Sequence, residues 1–225
     1  MSKERLKLAW YHVARFQCLV FSAIFFRLRV RGRENVPRKG PVILAGNHQS
    51  FMDPVFCGVG VRRRLTYLAR ESLFHFGPFG WLIHSVNAIP IARDKADIAV
   101  MRAVIERLRR GEAVCLYPEG TRSPDGRIAP FKAGFGLLCR RSKATVVPVL
   151  VDGAFECWPR HQKLFRPGRV TIEYGQPLSP EQVADMTNDE LADRLTTVLR
   201  QMQDETRRRQ GKTPYDYDEA PATPS

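Results

Sequence analysis

Two short stretches of the chain hold residue types that could do chemistry. The first is Asn47-His48-Gln49-Ser50-Phe51-Met52-Asp53. His48 and Asp53 stand five positions apart, and a turn can bring the carboxylate to one ring nitrogen of the imidazole. That fixes the tautomer and leaves the other nitrogen free to take a proton. This is the His–Asp half of a triad. No Gly-x-Ser-x-Gly elbow supplies a serine nucleophile. The substrate is then expected to bring its own hydroxyl. Taken alone the pair is weak, because a histidine near an aspartate also arises where it merely caps a helix. A metal site is disfavoured, since neither His-Glu-x-x-His nor a matching second cluster is present.

The second stretch is Tyr117-Pro118-Glu119-Gly120-Thr121-Arg122-Ser123. Gly120 permits close backbone approach, Thr121 and Ser123 offer hydroxyls, and Arg122 offers a planar fork for a phosphate. Lys132, just after this turn, and Arg93, at the end of the third predicted strand, could join an anion pocket. The plainer reading is a polar turn with one surface arginine.

Elements must hold these turns. Short apolar runs predict strands at Val42–Ala45, Leu65–Ala69, Ala88–Ala92, Ala113–Tyr117, Thr145–Val151 and Val170–Tyr174. Helices are expected from Asp53, as N-cap, for about eight residues, over Ala96–Arg110 and Ala133–Arg141, and as one long helix from Pro180 to Arg209. The alternation predicts an α/β fold with a mixed, largely parallel sheet flanked by helices. In such sheets sites form at the carboxyl ends of strands, where both stretches fall.

The chain has 225 residues, with 36 Lys and Arg against 23 Asp and Glu. Hydrophobic residues make up 44%, which excludes a chain disordered throughout. Five cysteines without a C-x-x-C pair indicate a reducing compartment rather than a disulfide framework. Residues 1–39 hold ten Lys/Arg and two acids around the uncharged run Phe16–Phe26. Residues 1–32 are therefore read as an amphipathic membrane-surface helix, its arginines on anionic lipid phosphates. The protein would then be peripheral or monotopic on the cytoplasmic side of a membrane. A helix docked on the protein's own core is the alternative. Nucleic acid is not expected as a partner, because the basic residues flank apolar blocks and do not interleave with stacking aromatics. The main domain is placed at 33–209, with a flexible tail at 210–225. The window Ser72–Ala92 lacks charged residues but contains Pro78 and Pro90, so it reads poorly as a membrane span.

Four blocks in order carry a resemblance: Asn-His-x-x-x-x-Asp at 47–53, Ile-Pro-Ile-x-Arg at 89–93, Tyr-Pro-Glu-Gly-Thr-Arg-Ser at 117–123 and Val-Val-Pro-Val at 146–149. The chain resembles the glycerolipid acyltransferase family, the type that includes 1-acyl-glycerol-3-phosphate acyltransferase. The resemblance implies that His48 is the general base and Asp53 its orienting carboxylate. It implies that Arg93, Glu119, Gly120 and Arg122 hold a glycerol-phosphate acceptor, with Thr121 a weaker member of the block. Lys132 and Arg70 are added from their positions beside the blocks. Pro148 stands in the fourth block. The implied reaction moves an acyl chain from acyl-CoA or acyl carrier protein, a co-substrate, to the 2-hydroxyl of lysophosphatidic acid. No further cofactor is implied. Another acceptor within the family, or a non-catalytic lipid-binding protein on this scaffold, stands as the alternative. An oxyanion donor is expected among the backbone N–H groups near 46–48 or 119–121. The stretch Ser72–Ala92 is expected to line an acyl groove or to be plain core.

Overall fold

A computed structural model describes residues 3–91 and 97–218. Seven strands among the described residues form one sheet: β1 (Arg29–Arg31), β2 (Val42–Gly46), β3 (Leu65–Arg70), β4 (Ala88–Ile91), β5 (Ala113–Leu116), β6 (Thr145–Asp152) and β7 (Thr171–Tyr174). Their order is β1-β7-β6-β2-β5-β3-β4, and every pairing is parallel except β6 with β7. β2 lies at the centre, with Leu44 paired to Cys115 on one side and Val147 on the other. All its residues are buried, as expected of a strand covered on both faces.

Successive side chains of a strand point to opposite faces, and β2 divides the core accordingly. Val42 and Leu44 join Phe26, Phe56, Cys57 and Tyr174 under α1 (Lys3–Phe26) and α2 (Asp53–Gly60). Ile43 and Ala45 join Val104, Leu108, Phe135, Leu138 and Leu195 on the other face. That face is covered by α4 (Asp97–Arg109), α5 (Ala133–Ser142) and α8 (Asn188–Arg209). A short α3 (Gly77–Ser85) precedes β4, α6 (Ala154–Cys157) follows β6, and α7 (Pro180–Ala184) precedes α8.

α1 has two unlike faces. Tyr11, Ala14, Ser22 and Phe26 fall on one side of the helix and are buried. Arg15 fastens this side by donating to the carbonyls of Gly58, Val59 and Val61 at the end of α2. The opposite stripe, Leu6, Val13, Phe16, Val20 and Ile24, is exposed. The helix is thus docked on the core and leaves an apolar stripe uncovered. Its window Ala9–Phe26 is long and apolar enough to cross a membrane, and 22% of it is buried in the protein.

Four expectations differ from this fold. The first helix ends at Phe26 rather than reaching residue 32, because Arg27 takes a left-handed φ of 42° and Arg29–Arg31 pairs with β7. The single helix expected from Pro180 is two, since Thr187 starts α8 with a reciprocal cap against Glu190. Met52, not Asp53, is the N-cap of α2. The tail does not begin to fray at 210: Arg207 lies over the Tyr215 ring at 4.0 Å and Arg200 over Tyr217 at 4.3 Å.

Candidate active site

β2 ends at Gly46 and the next residue clamps the strand end. Asn47 Nδ2 donates to Val151 O at 2.9 Å, and Oδ1 accepts from Val151 N at 2.7 Å. This pair continues the β2–β6 ladder through a side chain and starts the turn at a fixed point. His48 follows, with its side chain 21% exposed and Nδ1 2.7 Å from Asp53 Oδ2. The same oxygen accepts from Gln49 N and Ser50 N, each at 2.7 Å. Asp53 is wholly buried at the first turn of α2, where the helix dipole favours a negative charge. Its role as an N-cap is therefore replaced by a tighter one: the carboxylate folds back and binds the turn that carries His48. The imidazole stacks on Tyr117 at 4.2 Å with 17° between the planes. Nε2 of His48 has no hydrogen-bond partner among the described residues. A proton acceptor oriented by a buried carboxylate is the arrangement that general-base chemistry needs.

β5 delivers the second turn beside the first. Ser123 N donates to His48 O at 2.7 Å, which ties the two turns together. Glu119 is buried and uses both oxygens on backbone groups: Oε1 accepts from His48 N at 2.6 Å and Oε2 from Ala129 N at 2.9 Å. Burial pushes its carboxyl up to about 7, against the pull of those two N–H groups. Gly120 has φ +76°, and a Cβ there would lie 2.6 Å from Lys132 Nζ, so only glycine admits the lysine so close. Arg122 is half-buried with its guanidinium 5.9 Å from the Phe51 ring centre. Its pKa is lowered by burial, then by the charges of Arg160 and Arg70. Thr121 is exposed, and Ser123 Oγ holds its own turn through Asp125 and the amide of Gly126. Arg93 lies outside the described residues.

A cavity of about 410 Å³ opens beside His48. Gly120 and Lys132 line its polar part, and Leu68, Met101, Val104, Leu116, Phe135 and Leu138 line the rest. Of the described residues 72–91, Ile91 lines it. α3 turns instead toward α1, where Trp10 Nε1 donates to Ser85 Oγ at 2.8 Å and its ring meets Trp81 at 5.2 Å. Two of the amides expected to serve an oxyanion are engaged: His48 N by Glu119, and Gly120 N by Tyr117 O at 3.0 Å.

The expected residues His48, Asp53, Glu119, Gly120, Arg122 and Lys132 thus meet where β2 and β5 end. This chain is matched by the acyltransferase family model over residues 27–152. That match covers more than half of the chain. The chain belongs to the acyltransferase family. Among known relatives, it is 26% identical over 175 residues to a Bacillus subtilis protein named 1-acyl-sn-glycerol-3-phosphate acyltransferase, covering 77% of this chain and 85% of the relative. It is 24% identical over 201 residues to a chloroplastic protein of that name from Brassica napus, covering 87% of this chain and 58% of the relative. The chain thus spans little more than half the length of that plant acyltransferase. The crystal structure of the 1-acyl-sn-glycerophosphate acyltransferase of Thermotoga maritima superposes with a TM-score of 0.81 at 26% identity, over 92% of this chain and 83% of that one.

Arg160 was missed by sequence reasoning, and no local signal marks it. It lies in a loop pinned by Ser50 Oγ, which donates to Trp158 O at 2.9 Å. The stacking of Tyr117 on His48 was also missed, although Tyr117 opens the second block. Around His48 the structure brings together the turn that carries Glu119 to Ser123 and an apolar cavity.

Proposed function

We propose that the protein transfers an acyl chain from a thioester donor to the 2-hydroxyl of lysophosphatidic acid, giving phosphatidic acid. One observation carries this reading: a carboxylate-oriented imidazole stands at the junction of an apolar cavity and a cationic wall. The two sides match the two ends of the reaction, a hydrocarbon chain and a phosphate. His48 Nε2 takes the proton of the acceptor hydroxyl as its oxygen attacks the thioester carbonyl. When the tetrahedral intermediate collapses, the carbon–sulfur bond breaks and the thiolate takes that proton from the imidazolium. Asp53 keeps Nδ1 protonated and stabilises the charged ring. Arg122 and Lys132 bind the acceptor phosphate, and Arg93 is assigned the same role from its sequence block alone. Glu119 acts through the backbone of His48, and Gly120 admits Lys132. The donor is acyl-CoA or acyl carrier protein, a co-substrate, and the reading needs no metal or further cofactor.

The membrane completes the reading. The exposed stripe of α1 enters the headgroup boundary on the cytoplasmic side. At the opposite end of the sheet from His48, Arg33, Arg38, Arg62 and Arg63, together with Glu34, line a second hollow of about 280 Å³, with Arg33 and Arg63 also donating to backbone carbonyls. Anionic lipid at this end would hold the protein on the surface without competing for the acceptor wall.

The test is free-thiol release from palmitoyl-CoA, with lysophosphatidic acid, glycerol 3-phosphate and lysophosphatidylcholine as separate acceptors. Release that needs lysophosphatidic acid and is lost in His48→Ala is the expected result. Release with another acceptor changes the substrate and keeps the chemistry. Wild-type protein that releases no thiol from acyl-CoA or acyl carrier protein with any acceptor overturns the reading.

A further inference from the structure

The residues after α8 return to the catalytic end of the sheet. The Tyr217 hydroxyl accepts from Ile128 N at 3.1 Å and donates to Gln203 Oε1. Gln203 is wholly buried, and its Nε2 donates to Gly126 O at 3.1 Å. Gln49, next to His48, donates to the same carbonyl at 2.8 Å. Arg200 holds Ile128 O with two N–H groups, at 3.1 and 2.9 Å, and its guanidinium covers the Tyr217 ring. One residue further on, Ala129 N donates to Glu119 Oε2, and Glu119 Oε1 accepts from His48 N. Hydrogen bonds and single peptide steps therefore run unbroken from Tyr217 to the backbone of His48. None of the apolar residues lining the cavity is in this path. The family match ends at residue 152, well before the segment that supplies Tyr217.

We propose that the C-terminal segment is a brace, and that Tyr217 is a positioning residue for the acceptor wall. It fixes residues 126–129, which fix Glu119, and so set His48 and the turn of Arg122 relative to each other. The apolar cavity takes its lining mainly from α4, α5 and the ends of β3, β4 and β5. The choice of acceptor as the affected substrate rests on the function proposed above.

Tyr217→Phe tests the brace in the full chain. It removes the hydroxyl and keeps the ring on Arg200, so the segment still packs. Ile128 N and Gln203 lose a partner. The expected result is a fall in kcat/KM for lysophosphatidic acid of about 5- to 10-fold, the size of one net hydrogen bond lost from a preorganised site. KM for the acyl donor stays within about twofold, because donor contacts are untouched. Thr187→Ala is the control: it removes the cap of α8, lowers the melting temperature, and leaves both KM values unchanged. Equal rise of both KM values in Tyr217→Phe, or kinetics identical to wild type, overturns the brace. Hydrogen exchange reads the brace without any activity. The Ile128 and Ala129 amides exchange faster in Tyr217→Phe if it is right, and at the wild-type rate if it is wrong. Failure of the acyltransfer assay in wild type is a separate result that bears on the function alone.

Discussion

The two walls that meet at His48 are built in opposite ways. The polar wall is made of turns, and its atoms are fixed one by one: Asp53 Oδ2 accepts three hydrogen bonds and Glu119 two. The apolar wall is made of helix faces, and Val104, Leu138 and Phe135 are held by packing alone. Directional bonds give positions good to a fraction of an ångström, which proton transfer needs. Packing gives a volume, which a hydrocarbon chain needs. Each wall suits the demand placed on it, and disturbance should therefore stay on the wall where it is made.

The largest expected effect is on the shared residue. His48→Ala should lower kcat by about 10³- to 10⁴-fold, the upper range for general-base catalysis, with little change in stability. Steady-state thiol release beside a thermal melt checks both halves. Asp53→Asn comes next. The amide can still accept from Gln49 N or Ser50 N through its oxygen, but its nitrogen brings donors into a site built for an anion. A loss of about 10²- to 10³-fold in kcat is expected, together with destabilisation of about 1–3 kcal/mol. An Asp53→Asn enzyme with wild-type kcat would mean that the carboxylate only ties the turn.

Glu119→Gln is smaller, and it has a pH signature. Either orientation of the amide sets its NH₂ against His48 N or Ala129 N, so a loss of about 10-fold in kcat/KM is expected. Folding raises the Glu119 carboxyl from 4.5 to about 7. Below pH 4.5 both folded and unfolded states are protonated and nothing is lost. Between 4.5 and 7 the unfolded state ionises first, so stability falls as pH rises. Above 7 the full cost is present, on the order of 3 kcal/mol. Urea unfolding at pH 5 and pH 8 should show this decline in wild type and a smaller one in Glu119→Gln. Equal declines in the two proteins would remove Glu119 as its source.

The contrast between the walls also decides what can be read from the chain. The catalytic turns are contiguous: His48 and Asp53 lie within six residues, and Glu119 to Arg122 within four. Strands β2, β5 and β6 are apolar runs bounded by turn residues, so they stand out. The cavity is different. Its lining comes from β3, β4, β5, α4 and α5, and each residue there reads as ordinary core until the elements are packed. β1 is three residues, Arg-Val-Arg, and exists only because Thr171–Glu173 offers it an edge. The break before α8 was legible in principle. Thr187-x-x-Glu190 is a capping box, but it sits inside a long polar helical pattern that hides it. Tyr217 carries no signal at all, because its partners lie 89 and 14 residues away.

The effect confined to the fewest substrates lies on the apolar wall, and it is the most direct test of the contrast. Val104 is fully buried on α4 and lines the cavity. Val104→Phe adds bulk where only hydrocarbon is expected and leaves the hydrogen bonds of the two turns in place. Overpacking should destabilise the fold by about 1–3 kcal/mol, which a melt will register. If the walls are independent, KM for lysophosphatidic acid and the pH profile remain those of wild type. kcat/KM for the longest acyl donors should fall by about 10-fold, the worth of one or two displaced methylenes, while shorter donors lose little. A donor series of increasing chain length in wild type and variant makes the comparison within one preparation. Equal loss at every length would mean that α4 reports on His48 rather than on the chain. A change in acceptor KM would mean that the two walls move together, and the division between bonded turns and packed helices would fail at the point where they meet.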